Sequence, residues 1–286
     1  MFSEEVIKSV KNGSAIRAMF EEGARLSAIY GAENVYDFTL GNPDLEPEEP
    51  VVKSILAYAQ TPNIHKYMAN AGYTDVRDKV AAYTAKETGV PVEGKNVLMI
   101  AGAAAGLNVV LKALLNPGEE VIAIAPYFVE YGAYTKNQGG SFKVVNAVEG
   151  TFDLDVDAIE KAITPKTKAI ILNSPNNPTG TVYPEETLKK LSDVLAALEA
   201  KGHTIYVISD EPYIKIVYGD VRVPAMLSIF KNSVIVNSFS KSLALPGERI
   251  GYIVINPAIE DAELLMDGMI ICARAQCSGT NNHAVH

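Results

Sequence analysis

In the stretch VIVNSFSKSLALPGERIGYIVI (residues 234–255), Lys241 stands between Ser240 and Ser242 at the end of an apolar run, with Arg249 eight residues on. Lysine is among the side chains least often buried, because stripping water from its charge is costly. An amine at the mouth of a core strand therefore asks for a chemical reason. Other apolar runs end in polar groups too. In SDEPY (209–213), Asp210 closes a run, so its carboxylate is expected to be partly buried and to need a cationic or hydrogen-bonding partner. SPNNPTG (174–180) is a rigid turn able to aim an amide side chain. Gly102-Ala103-Ala104-Ala105-Gly106 opens a helix with residues small enough for backbone N–H groups to approach an anion, or simply for tight helix–sheet packing. Pro126-Tyr127-Phe128 offers rings for stacking or for core filling. Each fragment alone suits a turn or a surface salt bridge. Together they supply an amine, a carboxylate, an amide, an anion cradle, an arginine fork and a flat aromatic.

The elements that must position these groups are legible from about residue 97 onward. Short apolar runs recur at VLMIA (97–101), VIAIA (121–125), AIILN (169–173), IYVIS (205–209), VIVNS (234–238) and YIVI (252–255), with a weaker one at FKVVNA (142–147). Continuous rather than alternating runs suit strands buried on both faces of a mostly parallel sheet. Between them lie helical segments. GAAAGLNVVLKALL stops at Asn116-Pro117-Gly118, and YPEETLKKLSDVLAALEAKG opens with Pro184 and an acidic first turn and ends at Gly202. Strands alternating with helices predict an α/β fold, an open sheet of roughly seven strands with helices on both faces. In such sheets ligands sit beyond the carboxyl ends of the strands, where the polar groups above fall.

Composition narrows the function classes. The chain has 286 residues, 48% hydrophobic and 21% charged, in the ordinary globular range. A formal net charge of -9 and the absence of a basic run argue against a nucleic-acid partner. Cys272 and Cys277 make neither a disulfide framework nor a zinc-ligand pattern, and no metal site is expected. The opening MFSEEVIKSVKNGS lacks the apolar core of a signal peptide, and no run is long enough to span a bilayer. A soluble cytoplasmic protein with no membrane partner is the expectation.

The amine, carboxylate and anion cradle are what pyridoxal 5′-phosphate requires: a lysine for a Schiff base, a carboxylate for the pyridine nitrogen and donors for the phosphate. SFSKSLALPGERIG, NNPTG, SDEPY and GNPD resemble, in chain order, the motifs of the class I/II aminotransferases, fold-type I pyridoxal-phosphate enzymes, and the resemblance extends to about residue 275. It implies that Lys241 is the Schiff-base lysine and proton shuttle, that Asp210 pairs with the pyridinium, and that Tyr213 and Asn177 hydrogen-bond the ring 3-oxygen. Phe128 matches the stacking aromatic, with Tyr127 as its neighbour. Ser238, Arg249 and the N–H groups of Ala103 and Ala104 match the phosphate site. Tyr67, in HKYMANAGYTDVR, matches the tyrosine that reaches the neighbouring subunit's phosphate in a homodimer. Gly41 matches the loop that closes over substrate, where Asn177 also contributes.

The resemblance further implies a division into residues 1–50 (part of a small domain), 51–275 (the large cofactor-binding α/β domain) and an irregular tail, 276–286. Relatives continue into a small C-terminal domain carrying the arginine that grips the substrate α-carboxylate. Arg222 and Arg274 match no such motif, so a fragment or a shortened relative is expected. In either case the helix over 262–273, with Leu264, Leu265, Met266, Met269, Ile270 and Ile271, is expected to be partly unpacked. The implied reaction is transamination between an amino acid and a 2-oxo acid. A lyase on the same scaffold and a cofactor-binding remnant without turnover stand as alternatives.

Overall fold

The structure is a computed structural model that describes residue 7 and residues 15–37, 41–64 and 66–277. The chain forms two compact units, Met1–Glu46 and Pro47–His286. The first holds helix α1 (Ala15–Tyr30) and a 3₁₀ turn at Ala32–Asn34. The second begins with α2 (Glu49–Ala59) and α3 (Thr74–Thr88). It continues through β1 (Val97–Ile100), α4 (Ala103–Leu114), β2 (Glu120–Ala125), α5 (Tyr131–Asn137) and β3 (Ser141–Asn146). Next come α6 (Val156–Ala162), β4 (Thr167–Asn173), α7 (Glu185–Glu199), β5 (Tyr206–Asp210) and α8 (Met226–Ile229). The last elements are β6 (Ser233–Ser238), α9 (Phe239–Ser242), β7 (Gly251–Ile255) and α10 (Ala262–Cys277).

All seven apolar runs are strands of one sheet, ordered β1-β7-β6-β5-β4-β2-β3. The pairs among β3, β2, β4, β5 and β6 are parallel, while β7 runs antiparallel to both β6 and β1. The weakest run is β3, and it lies at the sheet edge, where only Val145 is buried. An edge strand has one neighbour and is free to carry polar residues.

The continuous apolar runs are explained by the two-residue period of a strand. Ala169 and Ile171 of β4, Ile208 of β5, Val234 and Val236 of β6 and Ile253 of β7 pack in one cluster with Leu107 and Leu111 of α4 and Met269 of α10. Their chain neighbours Ile170, Leu172 and Val207 pack on the other face with Leu188 and Leu191 of α7. Ile235, Tyr252 and Val254 join Val76 and Val80 of α3 on that face. With helices on both faces, both faces are lined largely by apolar residues.

Helix α10 extends to Cys277, two residues into the stretch expected to be irregular, and residues 278–286 of that stretch lie outside the described residues, as does most of the opening segment 1–14. Met266 and Met269 are buried, Leu265 and Ile270 half-buried, and Leu264 and Ile271 largely exposed, so the helix is packed along one face only. No helix among the described residues is long and apolar enough to cross a membrane, and they contain no His/Cys/Asp/Glu cluster suited to a metal ion.

Candidate active site

Five strand ends converge on one edge of the sheet. Asn173 and Asp210 are register partners at the ends of β4 and β5, Asp210 pairs with Val236 two residues before the end of β6, and Gly251 of β7 pairs with both Ser238 and Ile100. The register therefore places Asp210, Ser238 and the Gly102 turn side by side. Gly251 makes this closeness possible. A Cβ there would lie 2.4 Å from the Asn237 carbonyl oxygen and 3.1 Å from Gly102 Cα, both backbone, so only glycine fits.

Asp210 is 5% exposed, more deeply buried than the sequence indicates. Tyr131 Oη donates to its Oδ2 at 2.6 Å, and the Asn173 amide donates to its backbone carbonyl at 2.8 Å. Its Oδ1 is buried with no hydrogen-bond partner among the described residues. Burial pushes the carboxyl up to about 6, and the Tyr131 hydrogen bond pulls the other way. A buried carboxylate oxygen without a partner carries a full desolvation cost, so it is a socket for a cationic N–H.

The surrounding groups are held by short links. Asn173 Oδ1 accepts the Asn177 backbone N–H at 2.6 Å, which fixes the start of the NNPTG turn. Asn177 Nδ2 then donates to Tyr213 Oη at 3.3 Å. Burial, followed by the charge of Asp210, raises the Tyr213 phenol, and the Asn177 contact opposes this. Tyr127 stacks on Tyr131 at 6.5 Å between centroids, and Phe128 meets Tyr131 edge-on at 5.7 Å.

Lys241 sits in the short helix α9 and is half-buried. Burial lowers its amine first, and the nearby positive charge of Arg249 lowers it further. Both causes favour the neutral, nucleophilic form. Arg249 adopts φ 55°, unusual for a residue with a side chain, and its Nη1 donates to the Pro246 carbonyl at 3.0 Å. Its guanidinium lies against Gly102, where a Cβ would come within 2.9 Å of Nη2. Gly102 caps α4 with no side-chain hydrogen bond, so the N–H groups of the first turn face the same place as the guanidinium. That pairing suits a phosphate.

These features fit pyridoxal phosphate: an orphaned acceptor for the ring nitrogen, a tuned amine, and an arginine beside a helix N-terminus that a side chain at position 102 would obstruct. The structure thus brings together Lys241, Asp210, Tyr213, Asn177, Phe128, Ser238, Arg249 and the Ala103-Ala104 turn. Tyr67 is fully exposed, and Gly41 belongs to the Met1–Glu46 unit. Sequence reading missed three residues. Tyr131 is the Asp210 partner; its signal is the third aromatic of PYFVEY. Asn173 is the lone polar residue ending AIILN. Tyr134 is pushed up to about 12 by burial, Glu130 and Asp210 while Arg249 opposes, so it lies within electrostatic reach of both ends of the site.

Comparison with known proteins adds independent weight. The sequence model of the family "Aminotransferase class I and II" matches residues 33–282. A probable aspartate/prephenate aminotransferase of Thermus aquaticus is 36% identical over 218 residues, 75% of this chain and 55% of that protein. The aspartate aminotransferase of Pyrococcus horikoshii is 32% identical over 243 residues, 84% of this chain and 59% of that one. Across eight such curated relatives the chain spans 54 to 66% of their length. Among solved structures, an aminotransferase of Eubacterium rectale superposes with a TM-score of 0.93 at 37% identity, covering 99% of this chain and 73% of that one. The Thermus thermophilus aspartate aminotransferase with maleate gives 0.85 at 29% identity, covering 99% and 70%. With matching motifs, the same seven-stranded fold and a family match over most of its length, the chain belongs to the class I and II aminotransferases.

Proposed function

We propose that the protein transfers an amino group between an amino acid and a 2-oxo acid, using pyridoxal 5′-phosphate held at the strand ends. The observation that carries this reading is the buried, unpartnered Oδ1 of Asp210, on the strand next to the one that leads into Lys241. When bound, pyridoxal phosphate supplies a carbonyl that condenses with amines and an electron sink for charge developing at the substrate α-carbon.

The chain's own residues divide the remaining work. Asp210 Oδ1 would accept a hydrogen bond from the ring nitrogen, and Tyr131 fixes the carboxylate by donating to Oδ2. A carboxylate that stays ionised keeps the ring nitrogen protonated. Lys241 Nζ, its basicity lowered by burial and by Arg249, would be the amine that holds the cofactor through its carbonyl. The same amine, in its neutral form, would be the base positioned to take and return the proton of the substrate α-carbon. Asn177 and Tyr213, already linked to each other, hold the ring oxygen, and Phe128 covers one ring face. Arg249, Ser238 and the N–H groups of Ala103 and Ala104 hold the phosphate. Tyr67, Gly41 and a homodimeric assembly belong to the same proposal through the family resemblance alone.

The experiment combines labelling with product analysis. The protein is mixed with pyridoxal phosphate, reduced with borohydride and digested, and the modified peptide is identified by mass. Modification is expected at Lys241 and lost in Lys241→Ala. With ¹⁵N-aspartate and 2-oxoglutarate, the isotope is expected in glutamate. Modification of a different lysine overturns the site, and release of the isotope as ammonia overturns transamination in favour of a lyase.

A further inference from the structure

A second buried carboxylate lies behind the first. Ser209 and Asp210 are consecutive on β5, so their side chains leave opposite faces of the sheet. Asp210 faces Tyr131, and Ser209 faces the other side, where its hydroxyl donates to Glu211 Oε1 at 2.8 Å. Glu211 is 4% exposed. It makes no ion pair among the described residues. An ionised carboxylate offers about four acceptor positions, and Ser209 fills one of them.

Glu211 lines a cleft of about 670 Å³ with apolar walls that include Tyr183, Pro184, Val223, Pro224 and Met226. Of the other charges at this cleft, Lys215, Glu87 and Glu185 are in ion pairs. Lys215 pairs with Glu87 at 2.7 Å, Glu185 pairs with Lys189 at 2.6 Å, and Arg222 stands at an exposed position. Glu211 is thus the one buried charged group among the charged side chains that line the cleft, and it has no ion-pair partner among the described residues. We propose that this cleft is a binding site for an organic ammonium, a protonated amine carried on a short apolar chain. The ammonium reaches the Glu211 carboxylate, and the chain lies along the valine, proline and methionine wall.

Such a ligand supplies the positive charge that Glu211 lacks and buries its own carbon chain, which is the usual chemistry of small-molecule pockets. The site is separate from the strand-end residues around Asp210 and does not depend on the transamination reading. Burial, and then the charge of Asp210, holds the Glu211 carboxyl up to about 7 while Ser209 opposes. The other titratable and charged groups at the cleft are Tyr183, Glu185, Lys215 and Arg222, with Tyr252 of β7, which also feels Tyr83 and Glu87 of α3, and Lys215 is paired with that same Glu87. A cation binds the ionised form of Glu211, so its affinity must fall as the carboxyl takes up a proton.

The test is calorimetric titration with N,N-dimethylbutylamine, a tertiary amine that stays protonated near neutral pH and cannot condense with a carbonyl. Saturable binding is expected, weakening by about tenfold for each pH unit below the Glu211 midpoint. Glu211→Gln is expected to weaken binding by at least about tenfold, the loss of one charge-assisted hydrogen bond. The uncharged 1-pentanol is expected to bind at least about tenfold more weakly than the amine for the same reason. Absence of saturable binding, affinity that is flat or rises toward low pH, or equal affinity for the alcohol overturns the proposal. Two of these readouts use the unmodified protein, so a Glu211→Gln variant that fails to fold does not remove the test.

Discussion

Tyr131→Phe isolates the one hydrogen bond that opposes burial at Asp210. The ring and its contacts with Tyr127 and Phe128 are retained, so the change removes a hydroxyl and little volume. In the native protein burial holds the Asp210 carboxyl at about 6, with Tyr131 as the opposing influence. A hydrogen bond to a charged acceptor contributes roughly 1.5–3 kcal/mol, and about 1.4 kcal/mol corresponds to one pH unit. The charged form loses its donor, so the midpoint moves upward, from about 6 to about 7–8. At neutral pH Asp210 then becomes largely protonated and can no longer hold a proton on the ring nitrogen. The assay is an infrared titration of ¹³C-aspartate-labelled protein without cofactor, following the carbonyl stretch of the protonated acid, with Asp210→Asn to assign the band. Pyridoxal phosphate affinity, measured in parallel across pH, is expected to lose its neutral-pH plateau in Tyr131→Phe. An Asp210 midpoint that stays in place or moves down refutes the reasoning.

Three further outcomes follow from close contacts and buried charge. Gly102→Ala forces a side chain onto a residue at φ +83° and within 2.9 Å of Arg249 Nη2; chemical denaturation is expected to show a loss of about 1–3 kcal/mol, with weaker inorganic phosphate binding. Gly251→Ala meets fixed backbone at 2.4 Å, so the strand ends cannot close, and the variant is expected to lose at least about 3 kcal/mol or to be recovered as insoluble protein. Glu211 has a folded midpoint raised from 4.5 to about 7, so its contribution to stability is present below the unfolded value and lost as pH rises through about 7. Glu211→Gln is therefore expected to match the native protein near pH 5 and to exceed it near pH 8 by up to about 3 kcal/mol; equal melting temperatures at both pH values would count against the buried charge.

The sequence determined the strands because a sheet covered on both faces demands apolar residues at every position, and such runs are visible without coordinates. It also determined which residues end those strands, since a polar group at the close of a buried run needs a reason. Asp210 and Lys241 were legible on that ground and Asn177 and Arg249 from the turn and the family resemblance, and β3 read weakly because an edge strand is relieved of the demand. Strand order was not legible, nor was the antiparallel setting of β7, because local pattern carries no record of which strand lies beside which. The deeper features of the site are of that kind. The partner of Asp210 is Tyr131, 79 residues away, and the link from Asn177 to Tyr213 spans 36. Glu211 follows Asp210 directly in DEPY and reads as an ordinary charged residue. Only the pleat of β5, which turns Ser209 and Asp210 to opposite faces, and the helices packed on each face decide that both carboxylates are buried, one toward the strand-end site and the other toward the cleft behind it.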